Sequence, residues 1–154
     1  MKVEIKQISA ADVRPLRHKV LRPHQPPEEL VYDKDDHPQS FHLGAFVEGE
    51  LIGIASFLYD DHPDLPDPGS QYRIRGMATL PELQSQGYGR ALVDEGLQII
   101  RDRSISAPEK KTLRVWCNAR ESAFGFYEKL GFVTVGEMFD IPGIGPHKVM
   151  WRAL

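Results

Sequence analysis

Apolar and polar residues alternate from Val3 to Ile8, with the period of two that a half-buried strand requires. The next spacing is helical. Asp12 is placed to cap a helix reaching about Leu21, and Pro15 falls in the first turn, where a missing N–H is tolerated. Proline and charge dominate from Arg22 to Ser40, which predicts a long loop with one helical turn near Glu28–Val31. Phe41–Val47 and Leu51–Tyr59 read as a hairpin joined at Glu48-Gly49-Glu50. Asp60–Ser70 is a second proline-rich loop. A strand over Tyr72–Thr79 and an amphipathic helix from about Gly87 to Arg103 follow, then a polar connector, Ser104–Lys111. Leu113–Asn118 is rich in strand-forming side chains. Ala123, Phe126, Tyr127 and Leu130 share one face of a last helix, which Gly131 closes. Phe132–Val135 and His147–Arg152 read as closing strands, with Pro142–Pro146 as the turn before the second.

The order β-α-β-β-β-α-β-α-β-β predicts a single domain over residues 1–154. Its fold class is α/β (α+β): a mixed, mostly antiparallel central sheet of about seven strands with helices on both faces. The 154 residues suffice for a sizeable core, and 41% hydrophobic with 27% charged residues is ordinary for a globular domain. A net charge of −3 leaves no basic excess to neutralise phosphates, which argues against nucleic acid or an anionic membrane as main partner. No apolar run is long enough to span a bilayer, and no leader-like apolar stretch opens the chain. The single cysteine, Cys117, forms no internal disulfide and reads as a small buried hydrophobe, so a reduced, cytoplasmic setting is expected.

The stretch that bears most on chemistry is Gln84-Ser85-Gln86-Gly87-Tyr88-Gly89-Arg90, between a strand and a helix. Backbone N–H groups at a helix start are unpaired and sit at the positive end of the dipole, so this corner suits a phosphate or pyrophosphate. The residues after Gly89 are Arg90, Ala91 and Leu92, so the third glycine of a dinucleotide loop is missing, and no P-loop string occurs. What stands here is Q-x-x-G-x-G. Upstream lies Met77-Ala78-Thr79-Leu80-Pro81-Glu82-Leu83-Gln84; downstream lie Asn118-Ala119, Ala123 and Phe126-Tyr127-Glu128-Lys129-Leu130-Gly131-Phe132. Together these resemble the GNAT superfamily of N-acetyltransferases, from about Tyr72 to Val135.

That resemblance implies acetyl transfer from acetyl-CoA, as co-substrate, to a primary amine of a small molecule or peptide, by direct attack. It implies that the backbone of Gln86 to Arg90, with Gln84 and Ser85, holds the pyrophosphate. It also implies a pantetheine arm beside Met77, Ala78 and Thr79, in a gap between that strand and the one ending at Asn118. Asn118 then either contacts the arm or caps the next helix. Tyr127 is the expected general acid for the departing thiolate, and Phe126 beside it is expected to be core. His147, at the start of the last strand, is a candidate general base.

Two hints about the acceptor conflict. The acidic run through Glu28, Glu29, Asp33, Asp35 and Asp36 can draw in a cation or simply be solvated surface. Arg22, Arg73, Arg75 and Arg120 can instead bind a carboxylate, and Arg73 and Arg75 share a strand face. His37 and His42 suggest no metal site, so no metal is expected. Many relatives pair, so a homodimer is possible. Rival readings are a non-catalytic acyl-CoA sensor and a nucleotide kinase; the missing P-loop lysine argues against the kinase.

Overall fold

The computed structural model describes residues 2–66, 68–106 and 112–154. Seven strands form one sheet: β1 (Val3–Ile8), β2 (Phe41–Val47), β3 (Glu50–Tyr59), β4 (Gln71–Thr79), β5 (Arg114–Arg120), β6 (Val133–Ile141) and β7 (Gly145–Ala153). Their spatial order is β1-β2-β3-β4-β5-β7-β6. Every neighbouring pair is antiparallel except β4 and β5, which run parallel. A parallel step needs a crossover, and α2 (Tyr88–Ser106) supplies it.

Helices cover both faces. Leu92, Val93, Leu97 and Ile100 recur along one side of α2 and enter the main core with Phe57, Ile74, Val115 and Met150. Gly96 lets α2 lie flat on the sheet, for a Cβ there would stand 2.1 Å from the Phe57 ring. The short helix α3 (Phe124–Lys129) adds Tyr127 to the same core. On the opposite face α1 (Ala10–Leu16) buries Val13 and Leu16 against Ile54 and Ala78.

Several boundaries differ from expectation. Ser9, not Asp12, caps α1; Asp12 is the reciprocal partner in a capping box, its carboxylate accepting from the Ser9 N–H. Pro15 therefore lies inside the helix, and the chain continues to Leu21 as a wider π-helical turn. The 22–40 segment carries the helical turn expected near Glu28–Val31, and it packs inward. It has a 3-10 turn over Pro27–Leu30, and Leu30 and Asp35 are buried. Strand β6 runs on to Ile141, past a bulge between Val135 and Phe139. Helix α2 reaches Ser106; the rest of the expected connector, 107–111, lies outside the described residues.

Candidate functional site

Strands β4 and β5 pair only over Gln71–Arg73 with Arg114–Trp116. Beyond that point each stays zipped on its outer side, β4 to β3 as far as Thr79 and β5 to β7 as far as Arg120. The two strands thus part while their outer neighbours hold them. A bulge in β4 contributes: Ile54 and Ser56 of β3 face Ala78 and Arg75, so β4 carries one extra residue there, and Gly76 takes φ +65°. The extra residue resets the alternation. Tyr72 and Ile74 face α2, and after the bulge Met77 faces α2 while Ala78 joins the α1 side.

The chain leaves β4 through Pro81–Leu83 into the glycine turn. Gln84 donates from Nε2 to the Thr79 carbonyl at 3.1 Å, which ties the turn to the strand end. Its amide is thus used in holding the turn. Ser85 (φ +64°) and Gly87 (φ +89°) are both left-handed. A serine in that region costs about 1–2 kcal/mol. The Gly87 carbonyl accepts the first helical bond, from the Ala91 N–H at 3.1 Å. The N–H groups of Tyr88, Gly89 and Arg90 therefore open the helix without intrahelical partners. A Cβ on Gly87 would meet nothing within 4 Å, so the space before these N–H groups is open.

That space is one end of a groove of about 520 Å³, lined by Thr79, Gln84, Ser85, Gly87, Tyr88, Gly89 and Arg90 on one side and by Phe126, Lys129 and Leu130 on the other. Phe126 is thus a groove wall as well as a core contact, a correction to its expected role. The sequence reading also missed Lys129, which lines the groove together with Arg90; only its place in the turn preceding Gly131 hints at this. Arg90 is also 3.6 Å from Asp94 in an exposed pair.

Tyr127 lies behind the groove wall, its ring centroid 5.1 Å from that of Phe126. It is 8% exposed, and its hydroxyl donates to Met77 Sδ at 3.3 Å. Burial raises its pKa well above 10, with the neighbouring Cys117 adding to the rise, so the phenol keeps its proton at neutral pH. Burial likewise pushes the Cys117 thiol up to about 12, which makes it an inert core residue.

The remaining candidates lie on the other face of the sheet. Asn118 stands opposite Val149, and Arg120 opposite His147, with Trp116 on the same side of β5. Asn118 is inside β5 and caps no helix; Arg120 and Ala123 occupy the cap positions of the 3-10 and α-helical turns after it. His147 is buried against Phe139, and its Nδ1 lies 2.7 Å from the Gly145 carbonyl. A carbonyl only accepts, so Nδ1 is the donor in this contact, and in the neutral ring the lone pair falls on Nε2. Arg22 is turned back onto the Leu21 carbonyl at 2.6 Å and joins neither group.

Beneath Gly76 lies a buried polar cluster the sequence did not reveal. Arg17, fully buried, holds Asp35 through two bonds of 2.7 and 2.8 Å, and also donates to the Leu30 carbonyl and Ser56 Oγ. His42 Nδ1 meets Ser56 Oγ at 2.7 Å. The Tyr32 ring is clasped between the guanidinium groups of Arg17 (3.9 Å) and Arg75 (3.8 Å). Asp35 is therefore structural, not part of a solvated acidic surface. Among the described residues, no group of three or more His, Cys, Asp or Glu is placed to hold a metal ion, and no helix is long and apolar enough to cross a membrane.

Comparison with known proteins gives a consistent picture. Residues 8–132 match the model of the Acetyltransferase (GNAT) family. The chain is 44% identical over 152 residues to YitI of Bacillus subtilis (strain 168), described as an uncharacterized N-acetyltransferase, spanning 99% of this chain and 97% of that protein. Among solved structures it is similar to Escherichia coli ElaA, with TM-score 0.74 and 20% identity over 98% of this chain and 99% of that one. An aminoglycoside 6'-N-acetyltransferase complexed with coenzyme A gives TM-score 0.72 and 13% identity, over 97% and 96% of the two chains. These two likenesses establish the shared fold.

Proposed function

The chain belongs to the GNAT acetyltransferase family, and from that premise we propose that it transfers the acetyl group of acetyl-CoA to a primary amine of a small molecule or peptide, by direct attack. The single observation that carries this reading is the junction of three features: a left-handed glycine turn with open N–H groups, a parted strand pair beside it, and a protonated phenol against Met77 of the parted strand.

The cradle fits a diphosphate. Gly87 has no neighbour that a Cβ would strike, so the space before it is open to a ligand. The Tyr88, Gly89 and Arg90 N–H groups, with Arg90 and Lys129 at the rim, supply donors and positive charge for the pyrophosphate. Acetyl-CoA supplies the acetyl group as a thioester. The unpaired edge of β4 at Met77–Thr79 faces the gap, where a pantetheine arm can take its N–H and C=O groups as a partial strand. One of those N–H groups can also stabilise negative charge on the carbonyl oxygen.

Across the reaction one N–C bond replaces one C–S bond, and a proton passes from nitrogen to sulfur. Tyr127 serves the sulfur. Its present acceptor, Met77 Sδ, is a weak one that a thioester sulfur can replace. Because its pKa is raised, it acts chiefly by hydrogen-bonding the developing thiolate rather than by losing its proton outright. His147 Nε2, on the opposite face, serves the amine as base, with Asn118 on the same face beside the gap.

Thiol release from acetyl-CoA with a panel of amines tests this reading. Acetyl-CoA-dependent, amine-dependent release supports it. Tight coenzyme A binding with no release across the panel points instead to a sensor module, which the Tyr127 hydroxyl beside the parted strand disfavours.

A further inference from the structure

We propose that the acceptor amine carries an anionic group, a carboxylate or a phosphate, held by Arg73 and Arg75 on the sheet face opposite α2. This rests on the acetyl-transfer reading above and names the acceptor class of that site.

Arg73 and Arg75 project from the same face of β4, just where β4 parts from β5. Arg75 lies flat on the Tyr32 ring at 3.8 Å and makes no hydrogen bond or ion pair with any described residue. Its whole donor edge is available. Arg73 lies over the Trp116 ring at 4.9 Å. Its nearest carboxylate, Asp60, is 3.9 Å from Nη1, too far for a hydrogen bond, and its buried Nε has no partner. Burial lowers the Arg73 pKa, and the charge of Arg75 lowers it further. Two adjacent cations, stacked on aromatic faces and served by one distant carboxylate, are poorly compensated within the protein; an anion returns that cost.

The contrast with Arg17 sharpens the point. Arg17 shares the unpartnered buried Nε, but its two terminal nitrogens hold a bidentate carboxylate, a carbonyl and a hydroxyl, so its charge is neutralised and its position fixed. Fixed, it backs the Tyr32 ring on which Arg75 rests, which makes it a positioning residue for Arg75. The same pairing removes Asp35 from the acidic run, so that run loses its most inward carboxylate and the case for a polycationic acceptor weakens. The distance also suits a small molecule. Arg75 is two residues before Met77 across the Gly76 bulge, so their Cα atoms are at most about 7 Å apart. A compound with its amine a few bonds from its anion fits between the parted strands and the arginine pair.

The test uses matched pairs in the thiol-release assay: β-alanine against its amide, O-phosphoethanolamine against ethanolamine, and spermidine as polycation. Coenzyme A affinity is measured separately by calorimetry. The anionic member of at least one pair is expected to show a kcat/KM about tenfold or more above its neutral partner; which pair does so tells carboxylate from phosphate. Arg75→Gln is expected to raise the KM for that compound about 10- to 100-fold, with kcat and coenzyme A affinity nearly unchanged and partial rescue by Arg75→Lys. Calorimetry of the same compounds on the coenzyme A-loaded protein gives a readout independent of turnover. Neutral or cationic amines that work as well or better overturn the inference while leaving acetyl transfer standing. So does failure of every anionic compound in both assays when coenzyme A binds. If coenzyme A itself does not bind, the acetyl-transfer reading falls first.

Discussion

The Tyr127 hydroxyl and the Met77 thioether, fifty positions apart in sequence, meet at 3.3 Å and join α3 to β4 beside the parted strands. The bulge at Gly76 makes this possible, because it turns Met77 toward the helix side of the sheet. Replacing Tyr127 with Phe removes only the hydroxyl. The expected result is a kcat about 10²-fold or more lower, with coenzyme A affinity within about twofold, since the donor acts on the sulfur and not on the phosphates. Steady-state thiol release and calorimetry check both halves; an unchanged kcat removes Tyr127 from the chemistry.

Gly87→Glu places bulk and negative charge before the Tyr88, Gly89 and Arg90 N–H groups, and coenzyme A binding is expected to vanish in calorimetry. Gly87→Ala separates strain from blockage. It forces a side chain into φ +89°, at a stability cost of about 1–2 kcal/mol that urea unfolding reads.

The Arg17–Asp35 pair is a stability element with a pH signature. Burial works to raise the Asp35 pKa, but the Arg17 hydrogen bonds, the Tyr32 N–H and the Arg17 charge outweigh it, so it ends below 3.8. Burial lowers the His42 pKa below 6.5, despite the Asp35 carbonyl beside it. Both groups bind fewer protons folded than unfolded, so each adds stability at neutral pH that is lost on acidification. The His42 share fades as pH falls below 6.5, and the Asp35 share as pH falls below about 3.8. Urea midpoints between pH 7 and 5 should fall less in His42→Asn than in the parent. Asp35→Ala, which strands a buried guanidinium, should cost about 3–5 kcal/mol, and Arg17→Met added to it should recover part of the loss.

Gly96→Ala tests how α2 meets the sheet. A Cβ 2.1 Å from the Phe57 ring forces the helix or the ring to move, so a loss of about 1–3 kcal/mol or more is expected in thermal or urea unfolding. An unchanged midpoint would mean that α2 lies farther from β3 than the structure has it.

Strands and the glycine turn were legible in the sequence because each leaves a local trace. Alternation marked Val3–Ile8 and the hairpin joint at Glu48-Gly49-Glu50 marked Phe41–Val47, both to the residue, and the missing third glycine separated this turn from dinucleotide loops. What stayed hidden depends on long-range partners. Asp35 reads as one acid in a charged run; only the fold brings Arg17 to it, 18 residues away. Ser9 was passed over as the α1 cap because Asp12, also a good capper, stands nearer the helix interior. The bulge at Gly76 leaves no local mark, since a single glycine in a strand has several meanings. Asn118 looked like a helix cap because the turn after β5 begins two residues later than its sequence suggests.

A crystal structure with coenzyme A bound tests the central claim most directly. The diphosphate is expected within hydrogen-bonding distance of the Tyr88, Gly89 and Arg90 N–H groups, with the pantetheine arm along Met77–Thr79 and its sulfur beside the Tyr127 hydroxyl. Coenzyme A bound elsewhere, or β4 and β5 paired beyond Arg73 and Trp116 in that complex, would contradict it.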